Sequence, residues 1–130
     1  HTRYISVTGV QTCALPISNP LGVCHGGMLA TLADMMAAIC VPYQTELPRH
    51  FLPTISLQMD FLAPARLGAW VQARTDVLKT TRNLVFVQGL IHADDELALR
   101  VSSIYKIGPL FQGEDAQAGD PFGLLGDPRP

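Results

Sequence analysis

One carboxylate stands alone in an apolar run. Residues 28–40, Met-Leu-Ala-Thr-Leu-Ala-Asp-Met-Met-Ala-Ala-Ile-Cys, hold a single charge, Asp34. The run has no Gly or Pro and many strong helix formers, so it predicts a helix. It is apolar on almost every face, which predicts burial rather than an amphipathic surface position. A carboxylate in such a place is shielded, paired or used. Used, it can take a proton from water or attack a carbonyl carbon directly. Unused, it is a buried acid bonded to a neighbouring strand. Spacing alone leaves both readings standing.

The residues around Asp34 sharpen the chemistry. Positions three, four and seven away share its helix face. They are Thr31, Ala30 and Gly27 on one side, and Ala37, Ala38 and Val41 on the other. That face is small and leaves room beside the carboxylate. Gly26 and Gly27 open the helix, where backbone N–H groups have no intrahelical partner and the dipole favours negative charge. Such a site suits a phosphate or a developing oxyanion. Gly27 also fits a helix start that needs a small residue. Asn19, before Pro20, and His25, before the glycines, complete the loop. Asn19 is equally at home as turn chemistry, and a lone His at a helix start is commonly a local hydrogen-bonding or packing residue.

The order Asn19, Gly22, His25, Gly26, Gly27, with Asp34 seven residues later, resembles the hotdog-fold acyl-CoA thioesterases of the PaaI-like (phenylacetic acid degradation-type) group. Residues 54–68, Thr-Ile-Ser-Leu-Gln-Met-Asp-Phe-Leu-Ala-Pro-Ala-Arg-Leu-Gly, resemble that family's strand ending in a Pro-x-x-x-Gly turn. The resemblance spans about residues 19–108. It implies an α+β hotdog fold, an antiparallel sheet wrapped around one long helix. It implies thioester hydrolysis of a small aryl or short- to medium-chain acyl-CoA. Asp34 falls on the family's general base or nucleophile, and Asn19 and His25 on its loop residues. Thr54 falls where the family carries a Ser or Thr that bonds the attacking water, though it also reads as an ordinary β-branched strand residue. Coenzyme A is then part of the substrate, with no separate cofactor and no metal.

Gly27 is the candidate oxyanion donor. It and Asp34 are seven residues apart on one helix, roughly 10 Å along the axis at about 1.5 Å per residue. That is too far for one thioester to meet both within one chain. A two-fold homodimer would bring Gly27 of one subunit to Asp34 of the other, and the resemblance implies the same, with a dimer of dimers beyond it. Lys79, Arg82 and Asn83 form the best cluster for the CoA phosphates, with a solvated turn as the alternative; Arg66 is a weaker candidate. Met35, Met36, Ile39 and Phe61 read as core that could line an acyl pocket. A non-catalytic acyl-CoA-binding hotdog module is the competing function. A hotdog dehydratase resembles a different pattern, with His five residues after the Asp; here that residue is Ile39.

Composition agrees. At 130 residues and 48% hydrophobic, the chain predicts one domain with a packed core. A net charge of -2 gives no basic footprint for nucleic acid. Asp34 interrupts the longest apolar run, which argues against a membrane span. Cys13, Cys24 and Cys40 are odd in number and lack metal-ligand spacing, which predicts reduced thiols and a cytoplasmic location.

Along the chain, residues 1–18 carry no feature of the family. They resemble a translated sequencing-adapter fragment of the kind found at the ends of metagenomic reading frames. The alternative is a divergent first strand, since residues 4–10 are rich in β-formers. A foreign segment would leave the sheet without its native first strand. The helix is expected to stop near Pro42, with a loop over 43–53. Strands are expected over 54–62, 69–79, 83–92 and 97–107. Residues 19–108 read as the hotdog domain, and 109–130, rich in Gly and Pro, as a loosely attached tail.

Overall fold

A computed structural model of the chain describes residues 3–7, 18–19 and 21–113. Its elements, in order, are β1 (Arg3–Val7), α1 (Gly26–Ile39), α2 (Val41–Gln44), β2 (Thr54–Phe61), β3 (Val71–Thr80), β4 (Leu84–Ala93) and β5 (Glu96–Lys106). The strands form one five-stranded sheet in the order β1-β3-β4-β5-β2, and each neighbouring pair is antiparallel. β3, β4 and β5 follow one another through two tight turns. Asp94, in the second, takes a positive φ of 53°, a conformation that Asp tolerates better than most residues. β2 leaves the helix and docks at the far edge, on β5. One long helix on a single antiparallel sheet is the α+β hotdog arrangement.

The core follows from the period-two alternation of the strands. On β4 the inward residues are Val85, Val87, Gly89, Ile91 and Ala93, all buried. On β5 they include Val101, Ser103 and Tyr105. The helix answers with Leu29, Ala33, Met36 and Ala37, which share one face. Gly89 is required by close packing. A Cβ there would lie 3.1–3.2 Å from Val101 Cγ1, the Arg74 carbonyl and Thr75 Cγ2.

The expectation of a helix buried all round is corrected. Met28 is 43% and Met35 52% exposed, and Thr31 between them is exposed too. One sheet covers one side of a helix, and the described residues supply nothing for the other. Met35 and Phe61, the latter also 52% exposed, are therefore not core, whereas Met36 is. The helix ends near Pro42 as expected, but the proline itself is not what breaks it. α1 stops at Ile39, and Pro42 lies in the first turn of α2, where its missing N–H removes no helical bond. The one-turn α2 has a job beyond continuity: the Gln44 side chain donates to the Thr75 carbonyl (2.6 Å) and accepts from the Val77 N–H (2.8 Å), capping β3 beyond the end of β1. By length and mean hydropathy (19 residues, 1.3), the run Gly26–Gln44 also reaches the range of a membrane span, contrary to the expectation drawn from Asp34. Its inner face is nevertheless packed on the sheet.

At the N-terminus, Arg3–Val7 pairs in register with Val71–Thr75 and covers the β3 edge that a foreign segment was expected to leave open. Residues 8–17, including Cys13, lie outside the described residues. Past Gly108 the chain does not detach at once. The Phe51 N–H donates to Pro109 and the Phe111 N–H to Arg49, and the Phe51 and Phe111 rings meet edge-on at 6.4 Å. Residues 114–130, most of the expected tail, lie outside the described residues.

Because three groups crowd the Gly89 Cα, Gly89→Ala should destabilise the fold by about 1–3 kcal/mol, read as a lower urea midpoint with an unchanged slope.

Candidate active site

Asp34 sits half-buried at mid-helix, facing the start of β2 and the end of β5. Its Oδ1 accepts a hydrogen bond from Thr54 Oγ1 at 2.8 Å and lies 3.1 Å from the Tyr105 hydroxyl. The same hydroxyl lies 2.9 Å from the Asp34 backbone carbonyl. The carboxylate is thus tied to neighbouring strands, as its structural alternative required, and still reachable. Thr54 and Tyr105 are register partners, and the row continues through Val85 to Thr80. Tyr105 was not among the residues singled out from sequence. The signal was available: it occupies an inward position of β5, where a buried phenol needs a partner, and Asp34 is the one charged residue of α1.

The Asn19–Gly27 loop lies at the other end of the helix. Asn19 Oδ1 accepts from the N–H groups of Leu21 (2.9 Å) and Val23 (3.2 Å), so its turn role is realised. His25 is the N-cap residue. It receives the helix start through its carbonyl, which accepts from Met28 and Leu29, and its exposed imidazole makes no cap bond. Gly26 and Gly27 follow in the open first turn. A Cβ on Gly26 would lie 3.4 Å from the Phe61 ring, and one on Gly27 would meet nothing within 4 Å. Beside them opens an apolar cleft of about 340 Å³, lined by Cys24, Gly26, Leu29, Phe61 and Pro64 among others.

Within one chain the structure therefore brings Asp34 and Thr54 together, and keeps Asn19, His25 and Gly27 apart from them on the loop and first turn at the helix start. Lys79, Arg82 and Asn83 lie at the β3–β4 turn, all exposed. Asn83 gives its carbonyl to the Ile107 N–H at 2.8 Å. The turn borders the row that contains Thr54 and Tyr105, three strand positions across the sheet from Thr54, or roughly 14 Å at about 4.8 Å per strand.

Three groups are shifted by their surroundings. Burial pushes the Cys40 thiol up to about 11 and the Cys24 thiol upward less strongly. Burial, with the Asp34 charge adding to it, pushes the Tyr105 phenol up. Both thiols are free.

The sequence pattern of the Thioesterase superfamily matches residues 21–99. The chain belongs to this superfamily. A Pseudomonas aeruginosa protein named "Putative esterase" is 30% identical over 86 residues, which are 66% of this chain and 63% of that protein. The chain thus spans under two thirds of this curated relative's length. A Ralstonia eutropha crystal structure, described as a thioesterase-type, phenylacetic acid degradation-related protein, is 26% identical with a TM-score of 0.64, covering 71% of this chain and 68% of that one. A Bacillus halodurans protein crystallised with CoA is 21% identical with a TM-score of 0.65, covering 83% and 67%; at that identity it supports the fold.

The Cys40 shift has a stability consequence. The unfolded chain releases this proton near the ordinary value of 9.0, whereas the folded chain holds it to about 11. Its contribution is full below pH 9 and is lost as pH rises to about 11. Tyr105 acts in the same sense above its ordinary value of 10.0. Urea unfolding between pH 8 and 10 should show the decline, and Cys40→Ala should flatten it whatever it does to stability at neutral pH.

Proposed function

We propose that this chain is an acyl-CoA thioesterase of the PaaI-like type, acting on a small aryl or short- to medium-chain acyl-CoA. The Asp34 carboxylate serves as general base toward water or as nucleophile toward the thioester carbon. The first-turn N–H of Gly27, with Gly26 beside it, receives the charge that develops on the carbonyl oxygen. Thr54 holds the carboxylate and the water it activates. The Asn19 amide and the His25 imidazole orient the thioester. Lys79, Arg82 and Asn83 receive the CoA phosphates. CoA leaves as product, so no separate cofactor is required. The domain responsible is 19–108, and the free thiols fit a cytoplasmic setting.

The observation that carries this reading is the carboxylate itself, oriented by two hydroxyls, partly open, in the helix of a thioesterase-superfamily fold. The Bacillus halodurans neighbour binds CoA on the same fold, which supports the substrate class.

The active unit of this reading is a homodimer. β2 is an eight-residue edge strand, and among the described residues its side away from β5 has no partner. Such an edge invites a second strand. If β2 pairs with its own copy about a two-fold axis, antiparallel, Thr54 of one chain comes opposite Phe61 of the other. Thr54 marks Asp34, and Phe61 marks Gly26. The two halves of the site then meet across the axis. The exposed face of α1, with Met28 and Met35, turns toward the same seam.

Two experiments test this. Thiol release from a panel of aryl, short- and medium-chain acyl-CoAs should be measurable for the wild-type chain and fall about a hundred-fold or more in Asp34→Ala, to a small residual rate, with the fold intact. CoA binding without turnover on any thioester would instead select the binding-module reading. For the shared site, Gly27→Pro removes a first-turn N–H that has no intrahelical partner to lose. Asp34→Ala and Gly27→Pro should each have little activity alone. Co-refolded in equal amounts, they should regain about a quarter of wild-type activity, because half of the dimers are mixed and each has one intact site of two. No recovery would place the site within one chain.

A further inference from the structure

The two oxygens of Asp34 are not equivalent. Both side-chain donors converge on Oδ1, Thr54 at 2.8 Å and Tyr105 at 3.1 Å. Among the described residues, Oδ2 has no donor. A carboxylate held through one oxygen aims the other in a fixed direction. We infer that Tyr105 is a positioning residue that, together with Thr54, fixes the Asp34 carboxylate so that Oδ2 is the oxygen facing the attacking water or the thioester carbon. This rests on the reading of Asp34 as the reacting group.

Tyr105 is suited to the role in ways that Thr54 is not. Its residue is 0% exposed. Its ring belongs to a cluster with Ala37, Cys40, Val41, Val85 and Val87, so it cannot reorient. It stands on β5, an interior strand flanked by β4 and β2. Thr54, by contrast, is exposed on the edge strand. The phenol has one proton, shared between the Asp34 carbonyl at 2.9 Å and Oδ1. It therefore registers helix and carboxylate against the sheet together. A plain structural role, in which the phenol merely finds a partner for its hydroxyl, would need only the carbonyl.

The test is kinetic. Tyr105→Phe keeps the ring and removes the donor. A hydrogen bond to a charged group is worth about a ten-fold effect or more. Tyr105→Phe should therefore lower kcat at least about ten-fold, with KM changed less than two-fold. In an Asp34→Ala background, adding Tyr105→Phe should leave the residual rate unchanged within two-fold, because the group it positions is gone. A kcat within two-fold of wild type would overturn the positioning role and leave the thioesterase reading standing. So would an equal fall in rate in both backgrounds, the mark of a general structural defect. If Tyr105→Phe fails to fold, Thr54→Val and Thr54→Ser probe the same oxygen from the other side: Val should lose kcat and Ser restore it, and a Val variant matching wild type would overturn the assignment of Oδ2. A wild-type chain that hydrolyses no thioester would take down the reading of Asp34, and Tyr105 positioning with it.

Discussion

A carboxylate on an apolar helix has to be met by donors, and here the hydroxyls of Thr54 and Tyr105 meet it. Each hydrogen bond to a charged group is worth about 1.5–3 kcal/mol when well buried, and less where water still reaches, as it does at Asp34. Even the lower end is an appreciable share of the 5–15 kcal/mol that holds a domain folded. The two bonds come from different strands. β2 at the edge and β5 inside it are both tied to the middle of α1. The arrangement that makes Asp34 tolerable also orients it.

The second constraint is coverage. A single sheet can satisfy one face of a helix, and the other face of α1 keeps Met28 and Met35 in contact with solvent. Among the described residues, β2 likewise has one of its two edges paired. Exposed apolar side chains and an unpaired strand on one side of a molecule are the surfaces that self-association buries. The groups of the proposed site divide the same way, with Asp34 near one end of β2 and the glycine turn near the other. In a shared site, the incomplete surface and the incomplete chemistry have one remedy.

Much of this was legible in the sequence. The helix declared itself by composition, the strands by alternation between Gly, Pro and acidic turns, and the superfamily by the residues around one charge in an apolar run. Strand ends moved by one or two residues, since fraying at turns leaves no sharp signal. The helix was misjudged for a physical reason: hydrophobicity all round says that a helix is covered, not what covers it. The helix does end near Pro42, though the proline sits in the first turn of α2 rather than breaking α1 from within. Tyr105 escaped because its importance is tertiary. It lies 71 residues from Asp34 in the chain, and only the register of β5 under the helix reveals the contact. Asn19 and His25 were placed correctly in their loop, where the structure realises their local roles most visibly.

The small residues between helix and sheet set a distance. Ala33 and Ala37 on the helix, with Ala73 and Ala98 on the sheet, are all at most 3% exposed. Side chains this short let α1 lie close to the strands. The Tyr105 hydroxyl reaches Asp34 only across that narrow gap. A single added methyl group there would raise the helix by a fraction of an ångström. The fold would absorb such a change more readily than the hydrogen bond would. The thickness of this core is thus a chemical quantity, and variation at its alanines should be felt by the carboxylate before it is felt by the chain.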